Sequence, residues 1–293
     1  MENIYIFTEA FNCGLILKKC LESFFKFHKN IVVNVFGTDK DFQDIGFFEN
    51  VNYIDLTLNQ EVKSNYKNGH LGTAYIGSRV IKEYSEGCDY IIHFDSDVIF
   101  RKESLSLLTD KISEGYDLIG PVRCYKNNMN GRTDLSNYSD VVQTYFYAFN
   151  KSKISNYDIN TLQQMVVGYY NPLNHPILDY FDPVSFDILK NSGKMYLLDT
   201  DLVGGLTKEG NRLNKYKEPN EDVDFGENLI HFAGVGSGMS FYYNENYAYQ
   251  GYQDWSIKRF ILYYKLFYNE ELSTNYDVIK YELLNNILNG TNS

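Results

Sequence analysis

The sequence predicts an α/β fold, with a mostly parallel, mixed central sheet flanked by helices and a C-terminal helical extension. Three observations predict it. Short apolar runs alternate with helix-period segments through the first hundred residues, as crossover-connected parallel strands require. The runs are β-branched or aromatic and end in turn or polar signals, as at Gly37-Thr38-Asp39. Composition is that of a globular chain: 293 residues, 44% hydrophobic and 22% charged. Disorder, collagen-like repeats and a coiled coil are thereby excluded. With 5 prolines and 21 glycines there is little material for a long linker. One compact unit over residues 1–250 is expected, made of a first half at 1–100 and a second at 101–250, with the extension at 251–293.

Taken in order, Ile4–Phe7 is a buried first strand that ends at Thr8-Glu9. Residues 14–28 place Leu15, Leu17, Leu21, Phe24, Phe25 and Phe27 near helical spacing, with Lys18, Lys19, Glu22 and Lys26 between them. Ile31–Phe36 is the second strand and Val51–Leu56 a more polar third. Residues 73–85 read as a helix and Asp89–Phe94 as the next strand. In open parallel sheets ligands lie beyond the carboxyl ends of the strands. Thr8-Glu9, Gly37–Asp39 and the residues after Phe94 should therefore share one edge.

Beyond residue 100 a short strand is expected at Asp117–Pro121, a polar loop at Cys124–Asp140 and one long strand at Val141–Phe149. A helix follows at 183–191, opened by Pro183 at its first position, then a strand at Lys194–Leu198. Residues 207–228 read as surface loop, and 255–288 carry helical spacing.

Net charge is −11, from 27 Lys and Arg against 38 Asp and Glu. Such a chain lacks the basic groups that displace phosphate counterions, so nucleic acid is not an expected partner. A small anionic ligand remains compatible if the site holds its own cation. The four cysteines (Cys13, Cys20, Cys88, Cys124) form no CxxC pair, so reduced thiols are expected rather than a disulfide framework. Met1-Glu2-Asn3 runs straight into a strand, and no stretch approaches ~18 apolar residues. A cytoplasmic protein is expected, with peripheral membrane contact left open, and oligomeric state is not legible.

The first chemical constellation is Asp95-Ser96-Asp97, directly after the strand Tyr90-Ile-Ile-His-Phe94. Two carboxylates flanking a small residue at a strand end can project onto one hard divalent cation, Mn²⁺ or Mg²⁺. A second Asp-x-Asp, Asp199-Thr200-Asp201, shows that the pattern also arises by chance. The first is preferred because an alternating α/β half precedes it. The second constellation is His231-Phe-Ala-Gly234-Val-Gly236-Ser237-Gly238: an imidazole able to ligate a metal, then glycines whose N–H groups can cradle phosphate. Its alternative is a structural histidine. The third is Asp182, ahead of Pro183, which also suits a helix N-cap; Asp179 is its reserve.

With these motifs the chain resembles the metal-dependent glycosyltransferases of GT-A fold, most strongly over residues 1–100. That resemblance implies a Rossmann-type nucleotide-sugar-binding half at 1–100 and an acceptor-binding half at 101–250. It implies Mn²⁺ or Mg²⁺ on Asp95, Asp97 and His231. It also implies donor contacts from Thr8, Asp39, Arg79, Ser96, Gly236 and Ser237, and Asp182 as the general base of an inverting transfer. The donor would be a nucleotide-diphosphate sugar, UDP-linked by the habit of the group, and the acceptor a glycan or glycolipid hydroxyl. Two departures stand out: no Lys follows the glycines, and Phe181 precedes Asp182 where inverting relatives carry Glu.

Alternatives stay open. A retaining enzyme would share every metal ligand. A nucleotidyltransferase would need a basic, Gly-rich loop after the first strand, where Thr8–Gly14 has neither property. A non-catalytic carbohydrate- or metal-binding module would suit the 27 tyrosines. Arg79 could pair with a surface acid, and His70 in Asn68–Thr73 could line the same cleft. Tyr145, Tyr147, Tyr169, Tyr170 and Trp255 could stack on sugar, although packing is the commoner role of such rings.

Overall fold

A computed structural model describes residues 3–10, 13–56, 75–123, 141–142, 144–154, 188, 191–198, 205–206, 212–213 and 228–231. In chain order the elements are β1 (Ile4–Glu9), α1 (Gly14–Phe27), β2 (Val33–Gly37), α2 (Asp39–Ile45), β3 (Val51–Asp55) and a π-helical turn (Val80–Tyr84). Then come β4 (Tyr90–Phe94), β5 (Val98–Phe100), α3 (Ser106–Ser113), β6 (Leu118–Arg123), β7 (Val141–Val142), β8 (Phe146–Asn150) and β9 (Met195–Leu198). The last are β10 (Gly205–Leu206), β11 (Arg212–Leu213) and β12 (Leu229–His231).

The main sheet has the order β3-β2-β1-β4-β8-β6-β7, with β9 added beside β6. Strands β3, β2, β1 and β4 are mutually parallel. Strand β8 runs against both β4 and β6, and β7 runs against β6, while β9 is parallel to β6. Six of the eight strands thus point the same way, and the fold is mixed α/β as the alternation of apolar runs predicts. All five residues of β4 are buried, because it is paired on both edges and covered on both faces. That explains the continuous rather than alternating apolar run.

Pleating sorts the strand residues into two cores. On one face Ile6, Ala10, Val33, Val35, Ile92, Phe94 and Ala148 meet Ile16, Leu17, Cys20, Leu21 and Phe24 of α1 and Leu108 and Ile112 of α3. On the other, Phe7, Phe36, Ile91, Tyr147 and Phe149 meet Tyr75, Ile76, Val80 and Ile81. The result is three layers, with helix on both sides of the sheet.

The N-terminus of α1 has no side-chain cap of its own. Its first donors are taken by Asp41 of the next helix, whose Oδ1 accepts from the N–H of Cys13 (3.1 Å) and of Gly14 (3.2 Å). The other oxygen accepts from Thr38 N–H (3.3 Å) and Thr38 Oγ1 (2.7 Å). Thr38 in turn accepts from Asp41 N–H (3.2 Å), which completes a capping box for α2. One carboxylate therefore ties both helices to the carboxyl edge of β2.

Several expectations need correction. Gly37-Thr38-Asp39 is not a bare turn but the start of α2. The expected long strand at Val141–Phe149 is divided into β7 and β8, with a turn at Thr144-Tyr145. Ahead of β9, Ser192 takes the left-handed conformation, at φ 60°, and Gly193 is required for space, since a Cβ there would collide with the side chain of Ile188. Strand β5 and helix α3 were not anticipated. The expected loop at 124–140, most of the 183–191 helix and the 207–228 loop, and the helical stretch at 255–288 lie outside the described residues. Among the described residues no helix is long and apolar enough to cross a membrane.

Candidate functional site

The parallel register brings the ends of β1, β2 and β4 to one edge, as expected. Phe7 lies opposite Asn34 and His93, and Thr8 opposite Val35. Asp95, Ser96 and Asp97 form the tight connection between β4 and β5 at that edge. The backbone of this turn is held on both sides. Asp95 N–H donates to the Tyr145 carbonyl (2.9 Å), and the Asp95 carbonyl faces the Cys20 thiol (3.6 Å). Ser96 Oγ receives the Cys13 thiol at 3.5 Å.

His231 reaches the same place from far along the chain. Strand β12 pairs antiparallel with β5, with His231 opposite Val98 and Leu229 opposite Phe100. The Asn228 carbonyl anchors the entry, accepting from Arg101 N–H (2.7 Å), Lys102 N–H (3.2 Å) and Ser104 Oγ (3.2 Å). His231 Nε2 then stands 3.3 Å from Asp97 Oδ1 and 3.5 Å from Asp95 Oδ2. Its ring stacks face to face on Tyr145, with centroids 4.3 Å apart and 8° between the planes.

The fit of this trio to a divalent cation can be tested on its chemistry. One ligand atom from each of Asp95, Asp97 and His231 lies within 4.8 Å of the other two. Adjacent ligands of an octahedral ion at 2.0–2.1 Å are about 3 Å apart, close to the separations around His231 Nε2. Asp97 and His231 are buried, and two carboxylates so near one imidazole favour a cation among them. His231 Nδ1 is buried without a hydrogen-bond partner among the described residues, so Nε2 is the nitrogen aimed at the carboxylates. The residues fit the ion.

Behind Asp95 lies a second cluster, made of Glu9 and His93 with Asp95 itself. His93 Nε2 is 2.8 Å from Glu9 Oε2, and Nδ1 is 3.1 Å from the Thr144 carbonyl. Asp95 Oδ1 is 3.8 Å from Nδ1. Burial works against a charged imidazole here. The charge and hydrogen bond of Glu9, then Asp95 and the Thr144 carbonyl, outweigh it and raise the His93 pKa to about 9. Burial, reinforced by Asp97, pushes the Cys20 thiol well above its ordinary value, so Cys20 is a protonated wall of the site rather than a thiolate ligand. Cys13, Cys20 and Cys88 are reduced thiols, in line with the sequence; Cys124 lies outside the described residues.

The remaining expected site residues fall as follows. Thr8 is fully buried in β1, its hydroxyl without a partner among the described residues. Asp39 is exposed in the first turn of α2, where its charge also suits the helix N-terminus. Arg79 is engaged with Glu83, its Nε 2.9 Å from Oε2, and lies over the rings of Tyr84 (5.3 Å) and Tyr75 (6.0 Å). The surface pairing weighed for it is thus present. Tyr145 and Tyr147 are buried and serve as packing rather than as open sugar platforms. Asp182, Asp179, Gly236, Ser237, Asn68–Thr73, Asp199–Asp201, Tyr169, Tyr170 and Trp255 lie outside the described residues.

His93 and the stacking of Tyr145 on His231 were not read as site features in the sequence, and Glu9 was read only as part of the ligand-facing edge. One signal was available: a histidine breaks the otherwise apolar run Tyr90–Phe94 just before the Asp pair.

No protein-family model matches the chain, and no curated protein matches it. Among solved structures, the chain is similar to an active-site mutant of LgtC (18% identity, TM-score 0.48, covering 67% of this chain and 72% of that one). It is also similar to galactosyltransferase LgtC in complex with donor and acceptor sugar analogs (19%, 0.46, 67% and 73%). A third is 4-diphosphocytidyl-2C-methyl-D-erythritol synthase from Anaerococcus prevotii (16%, 0.40, 67% and 88%). Likeness at this level does not assign an activity.

Proposed function

We propose that the protein is a divalent-metal-dependent glycosyltransferase that moves a sugar from a nucleotide-diphosphate donor to a hydroxyl of a glycan or glycolipid. The observation that carries the proposal is the meeting of Asp95, Asp97 and His231, from two distant segments, at the carboxyl edge of parallel strands, where nucleotides bind in open α/β sheets. Asp95, Asp97 and His231 would hold Mn²⁺ or Mg²⁺. The ion, when bound, neutralises charge on a leaving diphosphate.

The chain's own residues supply the rest. The ends of β1 and β2, with Thr8 and Asp39, border the space for the nucleoside. Ser96 and the backbone N–H groups at Gly236 and Ser237 are assigned to the diphosphate. Arg79, whose Nε and Nη2 are held by Glu83, is assigned to the phosphates through its remaining donors. Asp182 is assigned as the base of an inverting transfer. It takes the acceptor proton as the acceptor oxygen bonds to the anomeric carbon and the bond from that carbon to the diphosphate oxygen breaks. UDP is the donor nucleotide suggested by the family resemblance.

The test is thermal melting with UDP, GDP, CMP and dTDP, each in Mn²⁺ and in EDTA, for wild type and Asp97→Ala. A ligand at a hundred times its Kd adds about 2.7 kcal/mol of stability, a shift of several degrees for a chain this long. A Mn²⁺-dependent shift with one nucleotide, lost in Asp97→Ala, is expected. No shift with any nucleotide would refute the donor site. With the donor found, the anomeric configuration of the product decides the role of Asp182, since retention removes it as an inverting base.

A further inference from the structure

The geometry points to Glu9 and His93 as a positioning pair for Asp95, a buried brace that fixes which carboxylate oxygen faces the metal position. The inference rests on the metal reading of Asp95, Asp97 and His231 given above.

The pair sits where the core asks for something else. Ile91, Ile92 and Phe94 around His93 are fully buried and apolar, and the ring itself packs on Phe7 at 4.7 Å and Tyr147 at 5.4 Å. Apolar side chains at positions 9 and 93 together would extend that core. A buried ion pair is weak evidence of stability, because desolvation offsets much of the attraction and apolar replacements are often neutral or better. Retaining one at this position calls for another reason, and its placement offers one. In the parallel register Phe7 lies level with His93, and Glu9, two residues further along β1, projects to the same face as Phe7, where its carboxylate meets His93 Nε2.

Hydrogen-bond roles fix the ring. The Thr144 carbonyl can only accept, so Nδ1 carries a proton, and Nε2 shares its own with the Glu9 carboxylate. Glu9 and Thr144 thus clamp the imidazole at both nitrogens, and its protonated Nδ1 side lies against Asp95 Oδ1. The other carboxylate oxygen, Oδ2, is the one nearest His231. The main chain is pinned as well, by Asp95 N–H on the Tyr145 carbonyl. At 3.8 Å the contact between Nδ1 and Oδ1 is electrostatic rather than a hydrogen bond; with the main chain pinned, the charged ring edge beside Oδ1 favours the rotamer that turns Oδ2 toward His231.

The same clamp argues against reading Glu9, His93 and Asp95 as a second metal centre, despite their proximity. Both ring nitrogens are already committed to oxygen partners. Glu9 and Asp95 also lie off opposite nitrogens, so no single ion takes all three while the ring keeps its bonds. Groups that orient metal ligands commonly change metal affinity by 10–100-fold when removed.

The test is calorimetric titration with Mn²⁺ alone on the full chain, alongside circular dichroism to confirm folding. The variants are Glu9→Leu/His93→Phe, which replaces the pair with apolar volume; Glu9→Ala, which unclamps Nε2; and Glu9→Gln, which keeps a hydrogen-bonding partner there. We expect the first two to fold and bind Mn²⁺ at least ten-fold more weakly, and Glu9→Gln to stay within about three-fold of wild type. Wild-type affinity in either of the first two, once folded, overturns the positioning role, and either one alone suffices if the other fails to fold. Absence of Mn²⁺ binding in the wild type overturns the metal reading itself, and the two failures are thereby distinguished.

Discussion

Replacing Asp41 should cost more than any other single change near the site. Its carboxylate is fully buried and accepts from three backbone N–H groups, those of Cys13, Gly14 and Thr38, and from the Thr38 hydroxyl. Asp41→Ala removes the cap of α1, worth about 1 kcal/mol, and the reciprocal half of the α2 capping box, while Thr38 Oγ1 still accepts from the residue-41 N–H. It also leaves buried donors that water cannot fully satisfy, at about 1–3 kcal/mol apiece. Allowing for overlap between these terms, a loss of about 4 kcal/mol is expected. Asp41→Asn keeps the volume and one acceptor oxygen but turns an amide toward N–H donors, so about half that loss should remain. Urea unfolding at neutral pH, with m unchanged, reads both values. A loss below about 1 kcal/mol in Asp41→Ala would refute the view that one carboxylate anchors both helices.

Three further outcomes are expected. Gly14→Ala, ordinarily a gain of about 1 kcal/mol inside a helix, should destabilise instead. Its Cβ would lie 2.5 Å from the Asp41 carbonyl and 2.8 Å from Asp44 Cβ, and urea melts will show the sign. Tyr145→Phe should hold Mn²⁺ affinity within about two-fold. Tyr145→Leu, which removes the ring stacked on His231, should lower it in the same calorimetric titration by about ten-fold, the lower end of what supporting groups contribute. For metal-free protein, the folded-state pKa of His93 lies above its unfolded value, at about 9 against 6.5. The contribution of its charged form is therefore complete below pH 6.5 and is lost as pH rises through 9. Relative to Glu9→Leu/His93→Phe, wild type should lose on the order of 3 kcal/mol across that window. Equal pH dependence of the two proteins in EDTA would contradict the assignment.

The parts legible in the sequence are those decided by neighbours along the chain. Strands β1, β2 and β4 announce themselves as apolar runs because both of their faces are covered, and α1 shows its stripe because only one of its faces is. The Asp95–Asp97 turn is visible for the same reason, being two carboxylates at the end of such a run. Helix α2 is hidden by its capping box, since Thr38 followed by Asp41 is also what a polar turn looks like when Glu or Gln is not at the third position. The break at Thr144-Tyr145 is hidden because alternating aromatics continue across it, and only the pairing of β8 with β4 and β6 shows where the strand starts. The pairing of Glu9 with His93 is hidden most fully. A histidine within an apolar run is a local signal, but the meeting of the two depends on the register between β1 and β4, which no local signal states.

His231 shows why half of a site can be read and the whole cannot. A histidine ahead of repeated glycines is noticeable, yet only the family resemblance, and no local pattern, joins it to Asp95 and Asp97, because β12 is three residues long and finds its place by long-range fit. That fit has three supports in the structure: the ladder to β5, burial of Leu229, and the Asn228 carbonyl taking donors from Arg101, Lys102 and Ser104. None of them involves the Asp pair. The imidazole is therefore brought to Asp95 and Asp97 by packing that would exist without any ion, which is the preorganisation a metal site needs. A ligand set assembled this way does not have to be gathered by the ion at a cost in chain entropy. An ion bound there would in turn link β12 to the β4–β5 turn and stabilise the short strand pairing that places it. Metal binding and protection of β12 amides from hydrogen exchange should rise together, and Asp97→Ala should uncouple them while leaving the metal-free protection unchanged.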